Sequence, residues 1–211
     1  MRKTALVTLL AAVVAVPAAL AAGGEPQHQF TKADQAKARK ASLRLSDFAA
    51  GWTAKPDTSN SNASPKCKTY SPDQSDLVET GKYNSPDFSR SDGSFVSTTT
   101  GVFKTVAMAK TGYARVATPQ LPKCFGELLG KQAKTTVYAA GALTFPKVGE
   151  RSNAYRLSAG VTAQGTTVKA TIDFVLFNKA RTDVAIIFFA IGGPLPSSLE
   201  QQVSALVASR A

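Results

Sequence analysis

The sequence predicts an α+β fold: a single antiparallel β-sheet of about six strands with helices packed on it and one disulfide. Three observations carry this. Four alternating or apolar runs follow one another between Val137 and Ile191 with short connections, the pattern of antiparallel neighbours. The helical periods stand before and after that run rather than between its strands, which separates α+β from a doubly wound parallel sheet. Cys67 and Cys124 are the two cysteines of a chain that carries an export signal, where disulfides form and persist.

The export signal comes first. Arg2 and Lys3 give a positive start, Ala5 to Val16 a short apolar run, and Pro17 with Ala19-Leu20-Ala21 a small-x-small cleavage pattern. Residues 1–22 are therefore expected to be a signal peptide, residues 23–30 a flexible lead, and residues 31–211 one sensor-like domain. No other stretch is long and uncharged enough to span a bilayer, so the mature protein is expected to be secreted or envelope-associated and monomeric.

Thr31-Lys32-Ala33-Asp34 fits a capping box, opening a helix with a modest apolar stripe to about Leu45. The only tryptophan, Trp52, is expected in the core, and residues 53–76, rich in Ser, Asn, Pro and Lys, form a long loop tied down at Cys67. Residues 77–82 and 94–103 read as strands, separated by a turn-rich stretch. Val102, Val106, Ala109, Tyr113 and Val116 then lie on one helical face, and Leu121, Cys124 or Phe125, and Leu128 share the face of a short second helix. Cys124 is therefore expected to point inward. The 57 residue steps from Cys67 to Cys124 make a loop whose closure contributes about 3–4 kcal/mol.

Val137, Ala139, Gly141, Leu143 and Phe145 alternate. The runs Tyr155–Ala163 and Val168–Leu176 read as a hairpin turning at Gln164-Gly165. DVAIIFFAI, residues 183–191, is apolar on both faces and is expected to be a central strand. Ser197-Ser198-Leu199-Glu200 fits a second capping box, with Leu199, Val203 and Leu206 as the buried stripe of the closing helix.

Hydrophobic residues at 44% and charged residues at 18% exclude wholesale disorder. A single histidine, His28, and two cysteines exclude most histidine-based catalysis and a Cys/His zinc site. No phosphate-cradling glycine loop, G-x-S-x-G elbow or calcium loop occurs, so neither a metal nor a cofactor is expected, and the chain reads as a non-enzyme. Removing Arg2 and Lys3 with the signal peptide takes the net charge from +11 to +9. The basic residues cluster in 31–44 and 104–134 without interleaved aromatics, which argues against nucleic acid.

Alternation places Asp173 and Arg156 on corresponding polar faces of neighbouring strands, where an ion pair is a common sheet feature. With Tyr155 and Lys169 they form the candidate binding set: Tyr155, Arg156, Lys169 and Asp173, in a groove between sheet and helices. The ligand is an unknown small molecule, lipid or glycan, or an envelope protein. Two alternatives stand beside this reading. One is basic helices docking anionic polymers. The other is a hydrolase drawing on Asp173, Glu150 and Asp183.

RLSDFAAGW, SDLVETGKYNSPDF, VSTTTGVFKT, GERSNAYRLS and DVAIIFFA, spread over residues 31–210, together resemble the PknH-type extracellular sensor domain of actinobacteria and its PsbP-like and LpqN-type relatives. The resemblance implies an α+β sheet domain with a cleft that senses or binds an extracellular ligand. It transfers no site residues. The chain departs from the receptor-kinase members in having two cysteines rather than two disulfides, and neither a kinase domain nor a lipidation cysteine.

Overall fold

A computed structural model describes residues 24–57, 65–132, 134–163 and 165–211. The expected signal peptide lies outside the described residues, as does part of the loop before Cys67. In chain order the elements are β1 (Gln27–His28), α1 (Lys32–Ala41), a 3-10 turn (Leu45–Asp47), β2 (Trp52–Lys55), β3 (Val78–Asn84), β4 (Asp87–Arg90), β5 (Phe95–Phe103), α2 (Val106–Val116), α3 (Gln120–Gln132), β6 (Lys134–Ala142), β7 (Arg151–Ala163), β8 (Thr166–Lys179), β9 (Thr182–Ile191) and α4 (Ser197–Arg210).

The sheet corrects the expected architecture. It has nine strands rather than about six, in the order β1-β3-β5-β9-β8-β7-β6, with β4 beside β5 and β2 beside β4. It is mixed rather than purely antiparallel, because β1 runs parallel to β3. The added strands β1, β2 and β4 are two to four residues long, too short to display an alternation. β1 falls in the stretch read as a flexible lead. Its backbone is held by Gln27 N–H to Leu77 O at 2.8 Å and Gln29 N–H to Glu79 O at 2.9 Å. It can be parallel because α1, β2 and a long loop intervene before β3, enough chain for a crossover.

The long strands follow their sequence signals. β9 lies mid-sheet between β5 and β8, as its apolar run requires. Each sheet face is covered by two helices. On one face Tyr113 of α2 and Leu121, Cys124 and Leu128 of α3 pack on Tyr155, Leu157, Ile172, Phe174 and Leu176. Cys124 is fully buried there and is disulfide-bonded to Cys67, with 5.5 Å between Cα atoms. On the other face Val203 and Val207 of α4 pack on Val175, Phe177, Val184, Ile186 and Phe188, and the core extends to Trp52 and Phe88. α1 lies on this second face over β3. It approaches so closely that a Cβ on Gly81 would sit 2.3 Å from the Asp34 carbonyl oxygen.

The two capping boxes resolve differently. Thr31 Oγ1 accepts from Asp34 N–H at 3.1 Å, but the Asp34 carboxylate turns inward instead of closing the box. It accepts from two Arg181 nitrogens at 3.1 and 2.7 Å and from the Thr80 hydroxyl at 2.6 Å. At α4 the expected box is absent: Pro196 occupies the cap position with no side-chain bond. The buried stripe is Glu200, Val203, Ser204 and Val207, one step of helical phase from the expected one. That phase puts Glu200 against the sheet.

Candidate functional site

β7 and β8 pair in antiparallel register with Arg156 directly opposite Asp173. Arg156 donates from Nε to Oδ1 at 2.6 Å and from Nη2 to Oδ2 at 2.5 Å, a two-pronged guanidinium–carboxylate contact. The Asp173 side chain is 1% exposed and that of Arg156 34%, so the anchor is buried and the cation reaches solvent. Among the described residues the Arg156 Nη1 has no hydrogen-bond partner.

Glu200, fully buried in the first turn of α4, completes the cluster from above. Burial is the largest force on its carboxyl. The Asp173 charge and a hydrogen bond to Asp173 add to it, Arg156 opposes, and the result is pushed up to about 8. Burial and the neighbouring Asp173 charge thus favour the protonated form of Glu200, whose O–H suits donation to Asp173. Its Oε1 is buried without a partner.

The four expected binding residues do not converge as one set. Arg156 and Asp173 share the α1/α4 face. Lys169 is opposite Gly160 on the same face, two paired positions farther along the strands, and exposed. Tyr155 projects to the other face, as its neighbour-to-neighbour alternation with Arg156 requires. There its hydroxyl donates to Ala117 O at 2.7 Å and accepts from Asn153 Nδ2 at 2.9 Å, which makes it a core residue.

Two residues of this face escape the sequence reading. Glu200 fits a cap by sequence, although its spacing to Val203 and Val207 places all three on one helical side. A regular alternation through β6 passes over Tyr138. The strand instead carries a bulge between Val137 and Ala139. Val137 pairs with Ala159 and meets α3, Ala139 pairs with Ser158 on the opposite face, and Tyr138 lies between them. Tyr138 turns to the Arg156 face and lies over Gly160, whose missing side chain makes room: a Cβ there would be 2.2 Å from the Tyr138 hydroxyl oxygen and 2.8 Å from Cζ. The tyrosine remains 57% exposed. Together Tyr138, Ala139 and Gly141 of β6, Arg156 and Ser158 of β7 and Lys169 of β8 form a shelf of small, polar and cationic side chains beside α4.

Two concavities lie elsewhere. One, of about 640 Å³, sits between residues 69–76 and the α2–α3 corner. Arg115 in it is taken up by Asp76 on two nitrogens and by Asp73 O at 2.7 Å. The other, of about 550 Å³, lies between the β6–β7 connection and the outer side of α4. Neither holds a residue of the expected set.

The carboxylates weighed for hydrolysis are dispersed. Asp173 has both oxygens on Arg156, Glu150 accepts from Ala180 N–H at 3.1 Å, and Asp183, pushed up to about 8 by burial, accepts from Asn178 on the opposite face from Asp173. The facing pair that does exist, Asp173 and Glu200, is hydrogen-bonded and buried, without the gap of roughly 5 Å or more in which a glycosidic bond would sit. Among the described residues no group of three or more His, Cys, Asp or Glu stands close enough to hold a metal ion, and no helix is long and apolar enough to cross a membrane.

No protein family and no curated protein matches the chain. Among solved structures, it is similar to LpqN, involved in cell envelope biogenesis of Mycobacterium tuberculosis, at 14% identity over 78% of each chain with a TM-score of 0.34. That similarity says nothing of what this chain binds, and the functional reading rests on its own side chains.

Proposed function

We propose that this chain is a secreted, non-catalytic binding domain of the cell envelope that takes an anionic ligand on the β6–β8 shelf, with Arg156 as the recognising cation. The observation that carries the reading is the state of Arg156. Two of its nitrogens are fixed by a buried carboxylate, the third has no hydrogen-bond partner among the described residues, and a third of the side chain is open to solvent. A guanidinium already immobilised loses little entropy when a ligand anion arrives. Lys169 on the same face adds attraction, and the buried neutral Glu200 adds no repulsion. Thermal-shift titration of the secreted protein with anionic glycans and lipid headgroups tests this. The reading expects a concentration-dependent rise in Tm that Arg156→Lys removes. A rise equal in wild type and Arg156→Lys refutes it.

A second reading, polyanion docking on the outer helices, is favoured by one observation. α1 presents Lys32, Arg39 and Lys40 outward while its only acid, Asp34, is turned in to Arg181, and the only acid of α4, Glu200, is buried. The outward surface of these two helices thus carries cations and no carboxylate. Binding to heparin resin that falls steeply with salt and is lost in Lys32→Ala/Lys40→Ala, but kept in Arg156→Lys, would place the anion there instead.

A further inference from the structure

We infer that the ligand of the shelf is an acidic oligosaccharide, with Tyr138 as the stacking platform for a sugar ring and Lys169 and Arg156 as the partners of its negative charges; this rests on the shelf being the binding site. Three features of the chain converge on it.

The first is the way Tyr138 is presented. A bulge takes it out of the alternation of β6 and turns it to the shelf, while its neighbour Val137 stays packed against α3. Bulges re-aim side chains in this way beside functional sites. An aromatic ring on an exposed edge strand normally costs solubility, and here it is 57% exposed. The second is its seat. Gly160 leaves the space that the Tyr138 tip occupies, and more than half of the side chain stays open to solvent. An exposed ring whose tip is seated against the Gly160 backbone is pre-organised for contact with the C–H face of a pyranose, as it is for any flat apolar surface.

The third is the placement of charge and hydroxyls around it. Lys169 is paired across from Gly160, next to the Tyr138 tip, and Arg156 lies four residues along β7, about 13 Å away. Ser158 lies between them, and the small Ala139 and Gly141 flank it on β6. Two cations rooted that far apart on the sheet suit successive acidic groups of an oligosaccharide. The neutral floor between them leaves room for the intervening ring.

Isothermal titration of the secreted protein with three probes tests the inference: tetragalacturonate (acidic rings), cellotetraose (neutral rings) and tetraglutamate (acidic, without rings). Expected is binding of tetragalacturonate at least about tenfold tighter than either control, and a loss of about tenfold in Tyr138→Ala, the scale of truncating an aromatic hot spot. Gly160→Ala is expected to weaken binding similarly by displacing the ring while leaving every charge in place. Tyr138 is an exposed position and Gly160 a buried one on an interior strand, so the melting temperature of each variant is to be checked against wild type. If tetraglutamate binds as tightly as tetragalacturonate and Tyr138→Ala changes neither, the sugar inference is overturned, and loss of that binding in Arg156→Lys shows that the shelf itself stands. If no probe binding depends on Arg156 or Lys169, both the inference and the shelf reading fall.

Discussion

Glu200→Gln is the perturbation that reads the buried cluster most cleanly. The carboxyl of Glu200 is raised from an ordinary 4.5 to about 8 by burial and by Asp173. Between those values the folded protein keeps a proton that the unfolded chain has released, so stability falls as pH rises through this window. Across this window the cost to the folded state grows to on the order of a few kcal/mol, shared by the Glu200–Asp173 pair. Glutamine keeps the shape and supplies an N–H to Asp173 without a proton to lose. The variant is therefore expected to match wild type near pH 5 and to exceed it by on the order of a few kcal/mol at pH 7. Urea unfolding at half-unit pH steps measures both proteins. Glu79, pushed up to about 7, and Asp183, pushed up to about 8, slope the same way in both, so the difference between the two curves isolates the cluster. A difference that stays constant from pH 5 to 8 would refute the neutral-acid assignment.

Other consequences follow the same logic. Cys67→Ser/Cys124→Ser releases a loop of 57 residue steps and is expected to lose about 4 kcal/mol in denaturant unfolding, with reductant reproducing the loss in wild type and not in the variant. Gly81→Ala puts a methyl group 2.3 Å from the α1 backbone and is expected to cost about 3 kcal/mol, read as a lower urea midpoint with α1 amides exchanging faster. The Arg181 guanidinium, with help from the Thr80 hydroxyl, holds Asp34 below the usual carboxylate range. The stability this contributes is present at neutral pH and lost as pH falls below about 4, a loss that Asp34→Asn is expected to flatten in an acid titration.

What the sequence revealed of the fold and site depends on element length and regularity. Long alternating runs place Arg156 and Asp173 on the same face of neighbouring strands, because in a two-residue period a one-residue slip would expose every apolar side chain. The apolar run 183–191 likewise dictates a strand covered on both sides. β1, β2 and β4 are held by their neighbours rather than by their own pattern, and they carry the sheet from about six strands to nine. Tyr138 is hidden by one inserted residue, which shifts every later residue of β6 to the other face. Glu200 is hidden by a plausible alternative, since an acid three residues after a serine fits a cap as well as it fits a buried stripe.

The most direct measurement on the shelf is an amide NMR titration of the secreted protein with tetragalacturonate. Shifts are expected to cluster at residues 138–141, 156–160 and 169–171 and at the start of α4. Shifts confined to α1, or to the cleft around Arg115, would contradict the shelf as the binding site.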